Sequence, residues 1–83
     1  GIVKIDISRE KIMTGMDVVS FLAETGIFPS KGEARKTVQG GGVSINRKKI
    51  EATDFSISSE MLLHDLYLLV QKGKKNYYLV KAV

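Results

Sequence analysis

Cysteine and tryptophan are absent from this 83-residue chain, and proline and histidine occur once each. Without a thiol there is neither a disulfide framework nor a thiolate metal site, so packing must hold the fold, as suits a reducing cytoplasm. The single histidine, His64, has no His/Glu cluster at ligand spacing, which argues against a metal site and leaves it as a strand-entry residue. No apolar run approaches the roughly 20 residues of a membrane span, and the N-terminus does not have the layout of a signal peptide. Aromatic residues are only 7%, yet 43% of the chain is apolar, which describes a globular core and not a disordered segment. Residues 1–83 make one domain, near the small end of what folds alone; such chains bury only about 60% of their unfolded surface. The chain opens on Gly1 instead of methionine, which implies a piece of something longer.

The informative stretch is 30–46, SKGEARKTVQGGGVSIN. Pro29 biases Phe28 toward an extended backbone, so no helix should run through that junction. Ser30 and Glu33 stand at N-cap and N3, the spacing of a reciprocal capping box. Ala34 and Val38, four apart, face a core together with the methyl of Thr37. Lys31, Arg35 and Gln39 form another stripe, with Lys36 beside it. Gly40, Gly41 and Gly42 are expected to end the helix, because glycine enters the left-handed region without steric penalty. A solvated surface helix would carry the same pattern. Cations beside a helix N-terminus oppose its dipole, however, and are better explained by a polyanion lying outside.

The charge map favours the polyanion. Between Lys31 and Lys49 there are six cations and one acid, Glu33. A second basic run, Lys72, Lys74 and Lys75, interrupts an apolar segment, while Asp6, Glu10, Asp17 and Glu24 gather toward the N-terminus. A net charge of only +4 makes this a polarised surface, suited to a phosphate backbone.

Periodicity supplies the rest. Residues 2–7 alternate, with Val3, Ile5 and Ile7 on one side, and read as a strand. Ser8 to Met13 is ambiguous, with a short helical turn possible before Thr14-Gly15 breaks it. Residues 17–25 read as a helix with Val18, Phe21, Leu22 and Thr25 on one face and Gly26 as its stop. Ile27 and Phe28 should plug the space between the two helices. Val43-Ser44-Ile45 and Ile50-Glu51-Ala52 are expected to pair around Asn46-Arg47-Lys48-Lys49. Residues 53–60 look irregular. Residues 61–70 and 77–83 should form a hairpin around Lys72-Gly73-Lys74-Lys75-Asn76, pairing Leu68 and Val70 with Tyr78 and Val80 or their neighbours. Tyr77 and Tyr78 then lie on opposite faces, one in the core and one partly exposed; the exposed one can stack on a base, though packing is the commoner use of such a ring.

This order resembles the αL motif of the RNA-binding domain named after small-subunit ribosomal protein S-four. The match runs through Ser30, Lys31, Glu33, Ala34, Arg35, Gly41, Gly42, Val43 and Asn46. The C-terminal stretch, with Leu62-Leu63-His64 and the Lys72 to Val80 run, is similar to the tail of bacterial tyrosyl-tRNA synthetases, and the likeness covers about Met16 to Lys81. The resemblance implies an α+β fold, two main helices packed on a small, mostly antiparallel sheet. It implies a C-terminal domain that grips tyrosine tRNA at its variable arm and anticodon-stem region. The parent would be a cytoplasmic, homodimeric ligase whose catalytic domain binds ATP and tyrosine; the fragment itself would be monomeric, cofactor-free and non-catalytic. Neither His-x-Gly-His nor Lys-Met-Ser-Lys-Ser, the ATP-binding signatures of that catalytic domain, occurs here. One departure stands out: the family's hairpin turn usually reads Asn-Gly, whereas Arg47 follows Asn46. Either the loop is longer, or Arg47 adopts a positive φ at a cost of about 1 kcal/mol.

The RNA-binding candidates are thus Lys31, Arg35 and Gln39 along the RNA backbone, flanked by Lys36, Arg47, Lys48 and Lys49. Arg35 leads them, because its planar fork can hold a phosphate bidentately or stack on a base. Ser30 can also donate to a phosphate, and Lys72, Lys74 and Lys75 offer either a second grip or a solubilising hairpin tip. Two other readings fit: the same module attached to another RNA-modifying or ribosome-associated protein, and a protein-interaction domain that dimerises through the hairpin edge at 77–83.

Overall fold

Strand alternation and capped helices organise the structure, a computed structural model that describes residues 2–83. In chain order the elements are β1 (Val3–Ile7), α1 (Arg9–Thr14), β2 (Met16–Asp17), α2 (Val18–Glu24), α3 (Lys31–Gln39), β3 (Val43–Ile45), β4 (Lys48–Lys49), β5 (Ser56–Ile57), a 3-10 turn at Ser59–Met61, β6 (Tyr67–Lys72) and β7 (Asn76–Ala82). Five strands form one sheet in the order β1-β7-β6-β3-β4, and β2 pairs with β5 in a second small sheet. All pairings are antiparallel except β1 with β7. The expected α+β fold is therefore present.

The β6–β7 register places Leu68 opposite Val80 and Val70 opposite Tyr78, as the alternation requires. Gly73 turns the chain with a φ of +70°. On one face of the sheet Val43, Ile45, Leu68, Val70, Val80 and Ala82 are buried against Phe21, Leu22, Ala34 and Val38 from the helices. Ile27 and Phe28 close the gap between α2 and α3, both buried as expected. The Cα radius of gyration is 11.3 Å, slightly below the roughly 11.8 Å typical of a self-contained domain of this length.

Three expectations are corrected. The second arm of the first hairpin is Lys48–Lys49, not Ile50-Glu51-Ala52; the loop is only Asn46-Arg47, and Ile50 has already left the strand to enter the core. Its neighbourhood at 53–60 is not wholly irregular, since Ile57 is fully buried and Ser56–Ile57 pairs with Met16–Asp17. The 77–83 edge offers no dimerisation strand either, because β7 is hydrogen-bonded to β6 on one side and β1 on the other.

Candidate nucleic-acid interface

The basic helix is set by local chemistry at both ends. Ser30 Oγ accepts from the Glu33 amide at 3.2 Å, which is one arm of the anticipated box; the reciprocal bond from the Ser30 amide to the Glu33 carboxylate is not among the hydrogen bonds of the described residues. At the other end the Gly41 amide bonds the Val38 carbonyl and the Gly42 amide bonds the Thr37 carbonyl, the two bonds of a Schellman stop. Of the three glycines only Gly41 is left-handed, with φ +75°. Gly42 is needed for space: a Cβ there would lie 2.7 Å from Thr37 Cγ2.

Between those ends Ala34 and Val38 are buried, so Lys31, Arg35, Lys36 and Gln39 are directed outward, and all four are exposed. Lys49 joins them, its side chain lying 3.5–3.7 Å from where a Cβ on Gly41 would stand. The Gly73 amide bonds the Gly42 carbonyl at 2.8 Å, which brings the turn carrying Lys74 and Lys75 to the same junction. Cations near the C-terminal end of α3 are favoured by its dipole; Lys31 at the other end is not, and only Glu33 in the first turn offsets it.

Among the described residues, two ion pairs form, Arg9 with Asp65 and Lys11 with Glu24. Neither uses a cation of the proposed interface. Lys31 is felt weakly by Asp17, whose carboxyl is held below its ordinary value mainly by the Ser20 hydroxyl, then by the Ser20 amide, with Lys31 the smallest influence. Lys31, Arg35, Lys36, Arg47, Lys48, Lys49, Lys74 and Lys75 thus carry uncompensated charge on exposed side chains.

Other candidates are dispersed. Lys48 pairs with Ile45, and lines a hollow with Ile45, Asn46, Ile50, Phe55 and Met61, away from Lys49. Lys72 is in phase with Leu68 and Val70, so it points to the helix side. There its ammonium donates to the Ile27 carbonyl at 3.1 Å and sits 4.5 Å from the Phe28 ring centroid. That alternation was a readable signal for an internal role. Asn46 is a staple: its Nδ2 donates to the Met61 carbonyl at 2.7 Å and its Oδ1 accepts from the Leu69 amide at 3.0 Å. Asn46 and Arg47 have φ of 52° and 69°, so the hairpin is a two-residue type I′ turn with arginine in the place that favours glycine. Among the described residues no group of three or more His, Asp or Glu side chains could hold a metal ion, and no helix is long and apolar enough to cross a membrane.

The family described as "Tyrosine--tRNA ligase SYY-like C-terminal domain" matches residues 3–80. The chain belongs to that family. A tyrosine–tRNA ligase from Parabacteroides distasonis is 52% identical over 83 residues, covering 99% of this chain. One from Porphyromonas gingivalis is 49% identical over 81 residues, or 96% of the chain, and one from Flavobacterium johnsoniae is 37% identical over 84 residues, covering all of this chain. The chain spans about a fifth of these relatives, 19% of each. As a member of the synthetase C-terminal domain family it shares the part of those ligases that this fold represents.

Proposed function

We propose that this chain is the tRNA-gripping C-terminal domain of a tyrosyl-tRNA synthetase. It lays α3 and the adjoining lysines along the phosphates of tyrosine tRNA, at the variable arm and anticodon-stem region. The observation that carries this reading is the set of exposed cations on α3 and at its glycine stop that have no carboxylate partner among the described residues. A charge left unpaired on a folded surface gains most from a polyanion, through release of the counterions condensed on it. Arg35 holds a phosphate by its planar fork, and Lys31, Lys36 and Lys49 act as point charges on either side. Lys74 and Lys75 add a second grip, and Gln39 and Ser30 contribute neutral hydrogen bonds. In duplex regions such contacts read shape and backbone, not base sequence.

In this reading the domain has no chemistry of its own. ATP and tyrosine bind in the catalytic part of a cytoplasmic, homodimeric parent, while the domain alone is monomeric. The experiment is a titration of tyrosine tRNA, with and without its variable arm, at several salt concentrations. Neutralising about four to six phosphates gives a slope of log affinity on log salt near −3 to −5. Arg35→Ala weakens binding by about 1–3 kcal/mol with no change in melting temperature. A flat salt response, or equal affinity for the armless tRNA, rejects the proposal.

A further inference from the structure

The sheet face away from the helices carries a groove of about 450 Å³ lined by Ile2, Arg47, Leu69, Gln71 and Tyr77. Its size falls in the range of small-ligand sites, and its chemistry is mixed in a particular way. Leu69 and Ile2 give an apolar floor, Tyr77 an aromatic ring on the most exposed of the strand tyrosines, Gln71 an amide and Arg47 a guanidinium. No carboxylate lines it. The neighbouring hollow on the same face is smaller, about 170 Å³, and holds Asp6 between Lys4 and Lys81, so it suits an anion less well.

Two features tie the groove to the cationic surface. Register places Lys49, Ser44, Gln71 and Tyr77 in one cross-strand row, Lys49 opposite Ser44, Ser44 opposite Gln71 and Gln71 opposite Tyr77. Three inter-strand spacings, about 14 Å, separate Lys49 at the α3 stop from Tyr77. The second feature is Arg47 itself. It occupies a left-handed position without being glycine, and among the described residues no carboxylate pairs with it. Arginine at this place of the type I′ turn costs about 1–2 kcal/mol that glycine would not, so its side chain is the reason to look for a contact outside the chain.

We propose that the groove between Arg47 and Tyr77 takes one unpaired RNA base, stacked on the Tyr77 ring with Gln71 and Arg47 at its polar edge. The inference rests on the RNA-binding reading above and adds to it a site for a single unpaired nucleotide on the sheet face opposite α3, joined to the α3 stop by the row through Lys49. Stacking tolerates any base, and the Gln71 amide supplies a hydrogen-bond edge; its Nε2 donates one N–H to the Lys74 carbonyl, which leaves the second N–H and the Oε1 acceptor for a base.

The test compares a blunt RNA duplex with the same duplex carrying a bulge of unpaired nucleotides, each titrated against the 83-residue chain. Tyr77→Leu is expected to weaken the bulged RNA about 5- to 100-fold and leave the blunt duplex unchanged, with Tyr77→Phe restoring affinity. Arg35→Ala weakens both RNAs alike. Equal losses for both RNAs with Tyr77→Leu, or no loss, overturn the groove while leaving the helix surface standing. Failure of the parent chain to bind either RNA overturns the underlying reading and the groove with it. A change in sedimentation of the RNA-free chain on Tyr77→Leu, without change in RNA affinity, makes the face a contact between copies and also overturns it.

Discussion

Replacing Arg47 by glycine should move stability and RNA affinity in opposite directions. With φ at 69°, the arginine backbone is in the region where an L side chain costs about 1–2 kcal/mol. Glycine removes that cost but gains freedom in the unfolded chain, worth about 0.4–1 kcal/mol against it. The net stabilisation is about 0.5–1 kcal/mol, or a melting temperature about 2–8 °C higher for a domain this small. The guanidinium is lost at the same time. A hydrogen bond to a charged group is worth about 1.5–3 kcal/mol, so affinity for tyrosine tRNA falls roughly 10- to 100-fold. Arg47→Ala separates the two effects: it keeps the strained turn, so its melting temperature stays near the parent's, yet it loses affinity like the glycine variant. Calorimetry and a tRNA titration across salt concentrations read both quantities. A glycine variant no more stable than the parent refutes the strain argument, and one that binds as tightly refutes the role of the side chain.

Gly42→Ala should cost about 1–3 kcal/mol by urea unfolding, because the new Cβ meets Thr37 Cγ2 at 2.7 Å; adding Thr37→Ser removes that methyl and recovers most of the loss. No recovery in the double variant means the steric explanation is wrong. Lys72→Met keeps the apolar stem but removes the ammonium from the Ile27 carbonyl and the Phe28 ring, and should cost about 1–2 kcal/mol of stability with affinity changing less than about threefold. The opposite pattern would assign Lys72 to the RNA. Asp17, with its carboxyl lowered by the Ser20 hydroxyl and amide, contributes stability that is complete above its ordinary value of 3.8 and is lost as the pH falls through the lower folded-state value. Unfolding curves across the acid range should therefore show the parent's advantage over Asp17→Asn shrinking as pH drops; an advantage independent of pH contradicts this.

Local signals were the legible ones. Ser30, the glycine stop and the Leu68–Val80 pairing were readable because each is decided within a few residues or by strict alternation. The second arm of the first hairpin was misread because Ile50 looks like strand but is a core plug, while the true arm is two lysines with no apolar signal. A two-residue pair such as β2 with β5 is too short for any periodicity, so buried Ile57 was hidden in a polar run. Of the site, the helix stripe could be read from 3.6-residue spacing. The inward turn of Lys72 was present in the alternation but was masked by its charge, and the row joining Lys49 to Tyr77 needs the register of four strands.

The parallel match of β1 with β7 sets Val3 opposite Tyr78, 75 residues later. During synthesis at about 5–20 residues per second, the first strand therefore waits about 4–15 s before β7, its sheet partner, has been made. Helices α2 and α3 can dock meanwhile, but the sheet cannot be sealed on that side. Chaperones that shield nascent chains would find their opportunity in that interval, with Ile5 and Ile7 as the uncovered apolar residues.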